Sequence, residues 1–308
     1  MKDSMRCKSE QIEAHLKACP FRKRSSPADL FVFFISIVLF VSLGLSKYSL
    51  IMVATLIIML LIHEFGHFIA MVMFDYKDTR MLFIPLMGAF TAGKEINASA
   101  VNRALVAFSG PTPGILIGIV LWGFYFQTKD PLLLTAARIF LFFNLLNFLP
   151  FYPFDGGWII EALFFTRVPV LEIGSKMLGI AALIWLTVVT KMWLLGIFIY
   201  WILASVFKTF PQILIAQKLK KKFSENSIPA EQNIPSVEFI QGSLVPLQSE
   251  LWFCNLEFNA QAEWIRGLWN RVRIQQPSFL MTAGLFVLYA GFLFVGAIAL
   301  IVFEKMSS

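Results

Sequence analysis

His63-Glu64-Phe65-Gly66-His67 sets two imidazoles four residues apart with a carboxylate beside the first. On a helix, residues four apart share a face, so both imidazoles can hold one zinc ion while Glu64 takes a proton from water bound to that metal. The pentapeptide lies inside an apolar run from Tyr48 to Phe74, long enough to cross a bilayer as one helix. In a soluble chain the same spacing points to an ordinary metallopeptidase. Within a membrane helix it points to hydrolysis inside the bilayer, since two imidazoles and a carboxylate at that depth are costly to carry without a role.

A third protein ligand must come from elsewhere. The chain has three histidines, His15, His63 and His67, so the third ligand is a carboxylate, or else distant His15 or Cys254. The carboxylates near the membrane are Asp75, Asp78, Glu95, Asp130, Asp155, Glu161 and Glu172. At about 1.5 Å per residue, His67 and His63 lie roughly 12 and 18 Å from the helix end near Asp75. Asp155 lies roughly 18 Å from the same surface if the chain from it to Arg167 is helical. Depth thus favours Asp155: Glu161 is deeper inward with no unwound backbone beside it, and the rest belong to the surfaces. The stretch from Asn147 to Gly157 carries Pro150, Pro153, Gly156 and Gly157, which cannot continue a regular helix. Asp155 is placed to cap the half-helix that resumes at Gly156. Unwound backbone at that depth is tolerated where it is buried in protein or lines a wet cavity, so this break is an expected active-site wall.

The elements that carry these residues follow from composition. The chain of 308 residues is 58% hydrophobic with 33 Phe and only 15% charged residues, which marks a multi-pass membrane protein. Expected spans are Leu30 to Leu45, Tyr48 to Phe74, Leu105 to Phe126, Leu132 to Thr166 with a break, Met177 to Thr190, Met192 to Phe207 and Phe279 to Phe303. The fold class is therefore an all-α polytopic membrane protein with about six to seven transmembrane helices and a broken fourth span. It divides into a tail (1–28), a first helix (29–47), a catalytic core (48–167), accessory helices (168–207), a basic amphipathic segment (208–278), a last helix (279–303) and a short end (304–308). Lys2, Arg6, Lys8, Lys17, Arg22, Lys23 and Arg24 predict a cytoplasmic N-terminus. The first apolar run lacks a small-residue cleavage site and so does not read as a signal peptide. The net charge of +7 reads as topology and contact with anionic headgroups rather than nucleic-acid binding. Cys7, His15 and Cys19 fit no common zinc spacing.

The pentapeptide in a membrane helix, the stretch Phe108 to Gly114 (FSGPTPG) and the pattern N-x-x-P-x-x-x-x-D-G from Asn147 to Gly156 together resemble the site-2 protease family of intramembrane zinc metalloproteases. The resemblance covers roughly Tyr48 to Thr166. It implies one zinc per chain held by His63, His67 and Asp155, with Glu64 as general base and Asn147 as a polar group near the reacting carbonyl. It also implies cleavage of peptide bonds in or near transmembrane segments of membrane-protein or signal-peptide-like substrates, as in regulated intramembrane proteolysis. Gly114 departs from the pattern, standing where many members have Asn, which leaves Asn147 or Asn144 to supply an amide. A zinc-binding transporter and a catalytically silent scaffold are the alternatives. A di-iron oxidase is excluded, because its histidine clusters cannot be built from three histidines.

Met81 to Gly93 is too short and too broken by Pro85 and Gly88 to cross, and a β-rich re-entrant loop fits it. Gly110, Gly114 and Gly118, four apart, read as a close helix-packing face. Lys208 to Phe223 and the Trp264, Ile265, Leu268, Trp269 and Val272 stripe predict helices lying on the cytoplasmic leaflet. Ser224 to Glu250, with three prolines, predicts a linker or irregular region.

Overall fold

A computed structural model describes residues 2–18, 49–84, 88–94, 99–191, 193, 195–222, 235–247 and 251–307. The expected first span, Leu30 to Leu45, lies outside them. The elements are α1 (Lys2–Ala18), α2 (Leu50–Met73), β1 (Lys77–Ile84), β2 (Gly88–Lys94), α3 (Ala100–Ser109), α4 (Pro111–Thr128) and α5 (Pro131–Asn147). There follow α6 (Asp155–Ile160) running into a π-helical turn (Glu161–Phe165), α7 (Val170–Thr190), α8 (Leu195–Lys222), α9 (Val237–Leu247), α10 (Phe258–Arg273) and α11 (Phe279–Ser307).

Five helical rods among the described residues are long and apolar enough to cross a membrane: Leu50–Met73, Ala100–Thr128, Val170–Thr190, Leu195–Lys221 and Phe279–Val302. The chain is a multi-pass membrane protein. In α2 the side chains of Ile58, Phe65 and Val72, one every two turns, are exposed and apolar, while His63, Glu64 and His67 are buried. Such a helix, oily outside and polar inside, suits lipid and not water. Ser49 starts it by accepting a hydrogen bond from Met52 N at 3.3 Å.

The expected fourth span is in pieces. Pro131–Asn147 is an apolar helix of 17 residues, shorter than a full crossing. The chain then leaves helical geometry until Asp155, because Pro150 and Pro153 offer no N–H to a helical ladder. Asp155 is the first residue of α6 and its side chain does not cap it; Phe154 is the capping position.

The two short expected spans correct to longer helices. Met177 to Thr190 begins at Val170, and Met192 to Phe207 becomes Leu195–Lys222. Glu172, Lys176 and Lys208 suggest span ends in the sequence, but Glu172 and Lys176 pair with one another inside the protein, so the helix need not stop at them. The basic segment from Lys208 is accordingly the continuation of α8. Its Ile213 and Leu219 are buried, as are Trp264, Ile265, Leu268, Trp269 and Val272 of α10. These faces meet α1 and α9 in a helical cluster, with Ile12 and Leu16 packed among Ile215, Phe239, Leu244 and Trp269. The expected linker also holds a helix, α9, started by Ser236, whose Oγ accepts from Phe239 N at 3.3 Å. Its buried Phe239, Ile240, Leu244 and Leu247 recur at helical spacing.

β1 and β2 form an antiparallel hairpin, with Met81 opposite Thr91 and Phe83 opposite Ala89. Thr91 Oγ1 fastens it to α2 by donating to the backbone carbonyl of Glu64 at 3.1 Å. The second core lies around α3 to α6 and α11, where Ala100, Ala104, Ala137, Leu141, Phe148, Ile159 and Tyr289 are buried together.

Candidate metal centre

His63 and His67 are buried one turn apart on α2, and Asp155 opens α6 against them. Their Nε2 atoms are 3.2 Å apart. Asp155 Oδ2 lies 3.1 Å from His63 Nε2 and 3.3 Å from His67 Nε2.

Each imidazole is held from behind. His67 Nδ1 meets the Val106 carbonyl of α3 at 2.8 Å. A carbonyl only accepts, so Nδ1 carries the proton, and the neutral form of the ring turns the Nε2 lone pair inward. His63 Nδ1 meets Asn144 Oδ1 of α5 at 2.9 Å, and Asn144 Nδ2 donates to Phe140 O at 2.7 Å. That second bond fixes which end of the amide faces His63, so this ring too presents a lone pair. Asn144 is fully buried.

With both imidazoles neutral, three lone-pair atoms converge with no hydrogen between them, and Asp155 Oδ2 is buried without a hydrogen-bond partner. A cation resolves this. Four-coordinate zinc with bonds of about 2.0 Å has ligand–ligand edges of about 3.3 Å, and the three separations of 3.1, 3.2 and 3.3 Å fit one face of that tetrahedron. Among the described residues these three form the group whose donor atoms all lie within 4.8 Å of one another.

Glycines make the approach possible. A Cβ on Gly66 would lie 2.0 Å from the Ser109 carbonyl, and one on Gly110 would lie 2.2 Å from His67 Nε2. Gly114 faces Asn144, whose Nδ2 would stand 2.1 Å from a Cβ there, and Gly118 faces Leu141. The amide of Asn144 thus fills the room that the missing side chain at 114 leaves. The glycine stripe is a packing face, as its four-residue spacing suggests. Gly156 lets the unwound loop fold back, since a Cβ would sit 2.3 Å from the carbonyls of Phe148 and Leu149.

Glu64 is buried on the turn between the two histidines. Asn147, half-buried, donates Nδ2 to Phe143 O at 3.0 Å and so turns to its own helix, whereas Asn144 contacts His63. His15 stacks edge-on with Phe258 and Cys254 is exposed, both in the helical cluster and apart from the three converging atoms. The part of Asn144 in holding His63 is visible in the sequence only as a polar residue within an apolar helix.

Comparison with known proteins gives the following. Residues 51–131 match the family model described as Peptidase family M50. Stage IV sporulation protein FB of Bacillus subtilis is 27% identical over 118 residues, 37% of this chain and 40% of that protein. A zinc metalloprotease of Methanocaldococcus jannaschii is 27% identical over 152 residues, 46% of this chain and 44% of its own length. The chain thus spans less than half the length of these curated relatives. Among solved structures, a site-2 protease from Methanocaldococcus jannaschii aligns over 56% of this chain and 85% of that one, at 20% identity and a TM-score of 0.42.

Proposed function

Because the chain belongs to the site-2 protease family, we propose that it is a zinc metalloendopeptidase that hydrolyses peptide bonds in or near membrane-spanning segments of other proteins. The observation that carries this reading is the convergence of His63 Nε2, His67 Nε2 and Asp155 Oδ2 within a membrane helix bundle. A zinc ion held by these three would supply Lewis acidity, polarising the scissile carbonyl. Asn144 and the Val106 carbonyl keep the two imidazoles in the tautomer that can ligate. Glu64 accepts the proton of the attacking water and passes it to the leaving nitrogen. The Asn147 amide has a second N–H beyond the one given to Phe143 O, and that one serves the oxygen on which charge develops.

A transmembrane helix hides its peptide bonds in internal hydrogen bonds, so a substrate must unwind before attack. Extended backbone then needs partners, and the β1–β2 hairpin, tied to Glu64 through Thr91, offers strand edges beside the catalytic turn. Packing of Ile12 and Leu16 with Phe239 and Trp269 supports one side of the membrane for the N-terminal tail and segment 208–278. Their lysines and arginines make that side the cytoplasm.

The deciding experiment joins metal analysis to cleavage of membrane-segment fusions by wild type and Glu64→Gln. Gln keeps the shape of Glu but accepts no proton, so zinc content holds and cleavage falls by about a hundredfold or more. Equal turnover by Glu64→Gln removes the general base from the scheme. Zinc binding without cleavage by the wild type makes the chain a scaffold.

A further inference from the structure

Between the loop that carries Asp155 and the helical cluster around α10 runs a chain of buried and half-buried polar contacts that the proposed reaction does not use. Tyr152 precedes Asp155 by three residues and is itself buried. Its hydroxyl donates to Glu161 Oε2 in the π-helical turn. Its carbonyl oxygen presses on α7 at Gly179, where a Cβ would lie 1.9 Å away. Lys176, one turn earlier on α7, sets its ammonium 5.2 Å from the centre of the Tyr152 ring, within cation–π range. The same ammonium donates to Glu172 Oε1 at 2.9 Å and to Thr209 Oγ1 of α8 at 2.7 Å. Glu172 is in turn gripped by both arms of Arg271 on α10, at 2.7 and 3.3 Å. Glu161, Glu172 and Arg271 also line one cavity of about 120 Å³.

We propose that Tyr152 is a positioning residue for Asp155, and that Arg271 sets its hold through Glu172 and Lys176, so that the seating of α10 is read out in the geometry of the metal ligands. The inference rests on the function proposed above. One carboxylate shared between two cations transmits displacement. If Arg271 leaves, the whole charge of Glu172 falls on Lys176, whose ammonium is drawn from the tyrosine face. The loop then loses one of its clamps. The proposed coupling works through two arrangements of this cluster, Arg271 on Glu172 as in the structure and Arg271 off it. Anything that lifts α10 from the cluster would loosen the ligand set without touching it.

The test uses the full chain in lipid nanodiscs, loaded with cobalt(II) for its visible ligand-field bands and titrated with zinc against a chelator. Tyr152→Phe keeps the ring and removes the hydroxyl. It is expected to shift the cobalt bands and weaken zinc about tenfold. Arg271→Gln, separated from the metal loop by α7, is expected to shift the same bands in the same direction and weaken zinc about threefold. Arg271→Lys restores part of both, and Arg266→Gln, which removes an ion pair to Glu263 on the same helix, changes neither. Should Arg271→Gln lose helicity by circular dichroism, Thr209→Val probes the same link by removing an acceptor of Lys176. Unchanged bands and affinity in Tyr152→Phe overturn the positioning role. A shift in Tyr152→Phe with none in Arg271→Gln or Thr209→Val overturns the link to α10. A wild type that binds neither cobalt nor zinc overturns the metalloprotease reading itself.

Discussion

Gly110→Ala adds one methyl group and places it against the ring of His67, a proposed zinc ligand. Gly110 has φ −70° and ψ −65°, a right-handed helical conformation that Ala adopts freely. The backbone therefore gains, by about 0.4–1 kcal/mol of reduced unfolded-state entropy. The new Cβ would stand 2.2, 2.5 and 2.8 Å from His67 Nε2, Cε1 and Cδ2. The closest of these is about 1.2 Å short of the 3.4 Å at which ordinary contact begins. The ring has little room to yield, since Nδ1 is bonded to Val106 O at 2.8 Å and α2 is pinned where Gly66 meets Ser109. Zinc ligation tolerates displacements of about 0.2 Å. His67 is lost as a ligand, and zinc affinity falls at least about a hundredfold, or roughly 3 kcal/mol. Overpacking costs the fold about 1–3 kcal/mol, partly offset by the backbone gain. Gly123→Ala is the matched control, with nothing within 4 Å of its Cβ. Chelator competition and thermal unfolding in detergent separate the two effects. Unchanged zinc affinity in Gly110→Ala, with the fold intact, would refute the close approach of α3 to the metal ligand.

Asp155→Ala and His67→Ala each remove one of three converging donors, so metal analysis should find zinc stoichiometry lowered in both; full occupancy in Asp155→Ala would require another ligand. Asn144→Ala frees the His63 ring and should weaken zinc about 10–100-fold in chelator titrations. Asn147→Ala should instead keep zinc and lower kcat by about a hundredfold, the cost of one donor to a developing oxyanion. Phe83→Pro breaks β1 opposite Ala89, and should impair cleavage of membrane-segment fusions with zinc retained, whereas Gly or Pro near the scissile bond of the substrate should speed it. Unimpaired cleavage by Phe83→Pro would assign the hairpin to packing.

The convergence of His63, His67 and Asp155 was legible because each of its signals is local. Four-residue spacing puts His63 and His67 on one face whatever surrounds them, and the scarcity of histidine left a carboxylate to complete the set. The Pro and Gly content between Asn147 and Gly157 announces a break in any context. The β character of Met81 to Gly93 was legible from Pro85 and Gly88 within a short apolar run, and the hairpin reaches beyond those bounds, from Lys77 to Lys94. What the sequence hid were contacts across helices. Nothing at Asn144 says that its amide faces His63, and nothing at Gly110 says which ring lies above it; both depend on the crossing of α2 with α3 and α5.

Charge misled where it was paired. Read singly, Glu172, Lys176 and Lys208 mark where apolar spans stop, and the aromatic stripe of α10 beside its arginines reads as a helix on a lipid surface. In the fold, Glu172 and Lys176 are buried and bonded to each other, to Arg271 and to Thr209, so neither carries its desolvation cost alone. The helices run on through them. The stripe of Trp264, Leu268 and Trp269 is buried against α1, α8 and α9. A hydropathy argument treats each charge as an isolated penalty, and it fails where a partner is supplied from far along the chain, here 99 residues from Glu172 to Arg271. That same long-range partner is what makes the cluster a candidate link between α10 and the metal loop, since a contact between distant segments can be broken without unfolding either.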